Sequence, residues 1–135
     1  NNEAYSTIKK KSLNIFNHLN KNNIKSELLK PTTLNFEILK YGVPNYIKID
    51  CEGAENIILQ NFNHRVPIIS FELNLPDFFY EGKKIINYFN SKFKSKFNIR
   101  IHNSYNFYFK KKINSAKCIK FLTKKKVVVE VFIFS

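Results

Sequence analysis

The acids are scarce and unevenly placed. Only ten Asp or Glu occur in a 135-residue chain of net charge +13, and six of them are Asp50, Glu52, Glu55, Glu72, Asp77 and Glu81. Between positions 50 and 81 the sole Lys or Arg is Arg65. A carboxylate held at a fixed place can accept a proton from a substrate hydroxyl, orient a polar substrate, or recruit a divalent cation beside a second acid. Asp50 and Glu72 are the strongest candidates for base or orienting work, because each closes a short apolar run. Glu52 and Asn74 follow them at a spacing of two and complete the candidate catalytic group Asp50, Glu52, Glu72 and Asn74. Oxygen ligands alone are unspecific, so no metal is assigned. Glu55 falls in the first turn of a helix, where backbone N–H groups satisfy a carboxylate without any chemistry.

The surrounding pattern says what positions these groups. Residues 5–19 read as a helix and Ile24 to Leu29 as a short strand. Thr33 reads as the N-cap of a helix with Leu34, Ile38 and Tyr41 on one face, ended by Gly42 and Pro44. Tyr46 to Asp50 reads as a strand that turns at Gly53 into a helix with Ala54, Ile57, Ile58 and Phe62 at helical spacing. Pro67 to Leu73 reads as a strand buried on both faces. A loop through Pro76 and Gly82 leads to a helix that buries Ile85, Ile86, Phe89 and Phe93. Phe97 to His102 and Tyr105 to Phe109 read as strand or ribbon, and Val127 to Phe134 as a closing strand interrupted by Glu130. The alternation argues for an α/β fold with a mostly parallel sheet, ending in an antiparallel strand pair with no helix between its members. Ligands of such sheets lie beyond the carboxyl ends of the strands, where Asp50, Glu52, Glu72 and Asn74 would meet.

Composition narrows the classes. Lys, Asn, Ile and Phe dominate while Gly occurs only at 42, 53 and 82, the pattern that A+T-rich coding imposes. Arg, the residue suited to bidentate phosphate and base contacts, appears only at 65 and 100. The lysine runs are therefore read as solvated surface, and a nucleic-acid partner is not expected. The apolar runs are far short of the ~20 residues that span a bilayer. Cys51 and Cys118 form no CxxC pair, so no disulfide or zinc site is expected and the compartment is read as cytoplasmic. Cys51 reads as a small core filler, and His18, His64 and His102 as scattered surface groups. The aromatic cluster Tyr105, Phe107, Tyr108 and Phe109 reads as sheet-edge core, although such rings can also stack bases or sugars. The chain has no Met and opens on Asn1-Asn2, which reads as a chain cut or recorded without its upstream part.

The segments Thr33-Leu34-Asn35, Tyr41-Gly42-Val43-Pro44 and Tyr46-Ile47-Lys48-Ile49-Asp50-Cys51-Glu52-Gly53-Ala54-Glu55 resemble the signature of the FkbM family of SAM-dependent methyltransferases. Pro67 and Phe71-Glu72 are similar to that family's next strand. The resemblance covers about residues 32–75, with Asn35 standing where the family carries Asp, and Ser6-Thr7 matches weakly a Ser-rich segment near the cofactor. It implies a partial Rossmann-like class I methyltransferase fold, S-adenosylmethionine (SAM) as cofactor, and O-methylation of a hydroxyl on a small molecule or glycan. The glycine-rich SAM loop has no counterpart here, since no two of the three glycines lie within two residues of each other. Residues 1–135 are accordingly read as the C-terminal part of such a domain, inactive alone. The competing readings are a basic binding module for nucleic acid or an anionic surface, and an inactive truncated product.

Overall fold

The computed structural model describes residues 32–51 and 53–135. The expected helix over 5–19, the strand over 24–29, Ser6-Thr7, His18 and Glu52 lie outside the described residues.

Eight elements follow in order: α1 (Leu34–Tyr41), β1 (Tyr46–Ile49), α2 (Glu55–Leu59), β2 (Ile68–Asn74), α3 (Phe79–Phe93), β3 (Lys96–Ile101), α4 (Ser115–Leu122) and β4 (Val128–Phe134). The strands form one open sheet in the order β1-β2-β4-β3. The fold is α/β as expected, but the sheet is mixed. Only β1 and β2 pair in parallel, and β4 runs antiparallel to both of its neighbours. The expectation of a mostly parallel sheet is therefore corrected for the described strands. The antiparallel C-terminal pair is present, yet β4 lies inside the sheet and β3 beyond it.

A helix also separates that pair, contrary to the pattern read from the sequence. Asn114 caps α4 by accepting from the Lys117 N–H at 2.9 Å, and Cys118 and Leu122, one turn apart, are buried. The lysines around this stretch mask a two-residue apolar stripe. Tyr105 to Phe109 is not a strand either. It is an irregular segment that returns along the outer edge of β3. There the Tyr108 N–H donates to the Ile99 carbonyl at 2.7 Å. The Asn98 side chain donates to the Phe109 carbonyl at 3.0 Å and accepts from its N–H at 3.3 Å. Farther along, Phe97 and Ile113 exchange backbone hydrogen bonds of 2.8 and 2.7 Å.

Register explains where the core sits. Side chains alternate across a strand, so the rows Ile69–Ile133–Phe97, Phe71–Val131–Ile99 and Leu73–Val129–Ile101 share one face. Helices cover that face. Ile85, Ile86 and Phe89 of α3 and Leu122 of α4 are buried with it in a single core cluster. Gly82 is not in a loop but inside α3, and a Cβ there would lie 2.3 Å from Leu73 Cδ1, so glycine lets the helix approach the sheet. Two positions expected inside are outside: Tyr41 and Ile57 are exposed, while Ile38 is buried as expected and Leu59 carries the burial of α2.

The expected caps hold. Thr33 accepts from the Phe36 N–H at 3.2 Å, and Gly42 ends α1 at φ 90°. Asn35 does more than start a helix. Its amide donates to the Asn61 carbonyl at 2.9 Å and accepts from the Asn63 N–H at 3.0 Å, tying α1 to the turn after α2. An Asp at this position would lack the donor.

Candidate functional site

Among the described residues, the opposite face of the same strands has no comparable apolar layer. Its rows are Tyr46–Ile68–Phe134–Lys96, Lys48–Ser70–Phe132–Asn98 and Glu72–Glu130–Arg100, with Asp50 just past the end of β1. A cavity of about 670 Å³ opens here at the carboxyl ends of β1, β2 and β3, and Asp50, Glu72, Glu130, Lys48, Arg100 and His102 are among its walls.

β1 and β2 are parallel neighbours, with strand axes about 4.8 Å apart, which is why Asp50 and Glu72 reach one cavity. Asp50 pairs with the Lys48 ammonium at 3.2 Å, and both side chains are roughly half exposed. The hydrogen bond to Asp50 raises the Lys48 pKa most. Partial burial opposes that rise, while the charges of Asp50, Glu130 and Glu72 reinforce it. Asn74 ends β2 but is exposed and does not line the cavity. The structure thus brings Asp50 and Glu72 together and leaves Asn74 to one side.

Glu55 has a structural task. It is buried, and one carboxylate oxygen accepts from the Cys51 N–H at 3.0 Å and the Gly53 N–H at 3.2 Å. The carboxylate closes the strand-to-helix turn on itself. Gly53 sits at φ 95°, and a Cβ there would meet the Phe78 ring at 2.5 Å, so only glycine fits the turn. Cys51 packs partly against the core, and burial raises its thiol pKa. His64 and His102 lie on different loops, and among the described residues no three His, Cys, Asp or Glu side chains form a metal-holding group.

The sequence reading missed a polar relay under the cavity. Glu130 is buried, with 8% of its side chain exposed, and is ion-paired to Arg100. Its other oxygen accepts from the Ser70 hydroxyl at 2.7 Å. Ser70 has one hydrogen, already donated, so the Tyr46 hydroxyl 2.6 Å away must be the donor to Ser70. The chain Tyr46–Ser70–Glu130–Arg100 therefore crosses all four strands. A trace was visible in the sequence: Glu130 interrupts an apolar strand, Ser70 interrupts another, and Arg100 is one of only two arginines.

No family model matches the chain, nor does any curated protein or solved structure. Among the described residues, no helix is long and apolar enough to cross a membrane.

Proposed function

We propose that this chain is the acceptor-binding, C-terminal part of a SAM-dependent methyltransferase domain of the FkbM type, acting on a hydroxyl of a small molecule or glycan. One observation carries the reading: Asp50, just past the end of β1, and Glu72, near the end of its parallel neighbour β2, line one open cavity. The antiparallel pair at the C-terminal end of the sheet agrees with the class I methyltransferase fold that the sequence resemblance implies.

The residues present do not fit the cofactor by themselves. A SAM-cradling turn needs glycines close together, and neither Gly42 at the end of α1 nor Gly82 inside α3 lies near another. No residue of this chain is therefore assigned to SAM, which supplies the methyl group when bound to the remainder of such a domain. What this chain contributes is the acceptor side. A hydroxyl entering the cavity meets Asp50 or Glu72, either of which can take its proton. Lys48 keeps its charge beside Asp50 and fixes that carboxylate's direction. Most of the rate advantage of such a site comes from positioning.

Two measurements test the reading. The chain alone should bind SAM no more tightly than about millimolar, and a micromolar titration would overturn the half-domain assignment. When the chain is joined to a segment carrying the glycine-rich loop, Asp50→Asn or Glu72→Gln should cut label transfer from methyl-labelled SAM to a hydroxylated acceptor by ~10²–10⁴-fold. SAM affinity should stay constant. Wild-type turnover in both variants would remove these acids from the chemistry.

A further inference from the structure

A+T-rich coding explains an excess of Lys, but not a deficit of acids, because Asp and Glu codons are themselves compatible with it. From Gly82 to Val129 the chain has no Asp or Glu and carries more than half of its 23 Lys and Arg. Aromatic side chains are interleaved with those cations in space as well as in sequence.

A second cavity on the open face, about 400 Å³, is lined by Tyr46, Ile68, Arg100, Phe107, Phe132 and Phe134. Phe132 and Phe134 alternate along β4 and so share a face. Phe107, from the irregular segment, stands edge-on to both, with ring centroids 4.9 and 6.3 Å away and planes at 89° and 70°. Arg100 lies over the Phe132 ring at 5.6 Å and Lys112 over the Phe134 ring at 4.1 Å. The buried Glu130 anchors the guanidinium from below, whereas Lys112 belongs to the exposed run Lys110–Lys112. Around α4, Lys117 sits over Phe109 at 5.1 Å, and Lys125 over Phe121 at 4.6 Å and Tyr108 at 5.4 Å.

We propose that this face binds single-stranded nucleic acid. An unpaired base enters the slot against Phe107, Phe132 and Phe134, and the flanking phosphates meet Arg100 and the Lys110–Lys112 run. The ligand chemistry follows from the two halves of the site. Flat rings lining a shallow recess suit a planar base, and every base has a face to stack. Arg100 is already paired with Glu130, so the unmatched charge comes from the Lys110–Lys112 run, in a stretch with no Asp or Glu. Such a run suits a polyanion, and Lys tracks a backbone without needing sequence information. The rings line the recess rather than project from it, which favours a base over a bilayer. This proposal stands whether or not the neighbouring cavity transfers methyl groups.

The test is fluorescence anisotropy of the full chain with a labelled ten-nucleotide oligouridine, at ~50 and ~200 mM salt. Polyphosphate and phosphatidylserine vesicles serve as competing probes. Oligouridine should bind, and more weakly as salt rises. Phe107→Ala should weaken it by roughly 5- to 100-fold, in line with the loss of one stacked base, while leaving polyphosphate binding unchanged. Phe107→Trp should restore it. Changing Lys110, Lys111 and Lys112 together to Gln should weaken both polyanions and reduce the salt slope by up to about 2. Phe107 is half exposed in an irregular segment, and matching melting temperatures will show that the variants fold. Equal binding of oligouridine by wild type and Phe107→Ala would overturn the proposal. So would capture by vesicles with no binding of oligouridine.

Discussion

The two faces of the sheet are built from the same strands, one residue out of step. Phe71, Val131 and Ile99 form a row on the helix-covered face, and Glu72, Glu130 and Arg100 form the next row on the open face. The first row is wholly buried, and nothing is asked of it but shape. The second is only partly buried, and each charge that goes under is matched: Glu130 meets both Arg100 and Ser70. Among the described residues no buried side-chain N or O lacks a partner. The difference teaches that the covered face supplies stability and the open face spends polarity only where it can be paired.

Truncation on the covered face should have the largest effect. Phe71→Ala should cost about 3–5 kcal/mol by denaturant unfolding, from lost transfer and a residual cavity. A loss below about 1 kcal/mol would show that this face is not the main source of stability. The open face should respond through pairing instead. Arg100→Met leaves Glu130 buried with Ser70 alone, and should cost about 1–3 kcal/mol, moderated by the water that reaches the part-exposed Arg100 site. Adding Glu130→Leu should recover most of that loss. If the double variant were as unstable as the sum of the singles, the open face would depend on packing after all.

Alkaline pH separates the faces further. Cys118 is buried under the covered face, and desolvation pushes its thiol up to about 12. A raised thiol pKa means the folded state keeps a proton that the unfolded chain releases above about 9. Its contribution is complete below that pH and declines through about 12, by up to about 1.4 kcal/mol per pH unit. Cys118→Ala should flatten this part of the pH–stability curve, and an unchanged slope would refute the assignment. The smallest effect belongs to Lys48 on the open face. Its pKa is raised mainly by Asp50, so its contribution is present below about 10.4 and lost as pH climbs through the folded value. The pair is half exposed and screened by water, so Lys48→Gln should cost no more than about 0.5 kcal/mol at neutral pH, and nothing in strong alkali.

The sequence made the covered face easier to read than the open one. Thr33, Gly42 and Gly53 announce local geometry, and the apolar runs of β1 and β2 are bounded by turn residues, so those elements are local statements. The insertion of β4 between β2 and β3 has no such marker, because a strand's neighbours are chosen by packing between distant segments. Glu130 and Arg100 are thirty residues apart and meet only through that insertion. The same holds for Asp50 and Glu72, whose shared cavity follows once β1 and β2 are known to pair. Helix α4 was hidden for a different reason: its buried stripe is only Cys118 and Leu122, set among lysines that read as loop.

The Asn98 clamp on the outer edge of β3 bears on how the protein behaves in a crowd. A sheet edge with open N–H and C=O groups is a template on which a second chain can add its own strand. Here one amide side chain and the returning segment occupy those positions, so the edge is spoken for before another molecule arrives. Asn98→Leu would leave Phe97 and Ile99 on the covered face while withdrawing the two bonds to Phe109 and adding an apolar side chain to the open face. The expected failure is self-association that worsens with protein concentration. What Asn98 guards is solubility at the sheet's margin.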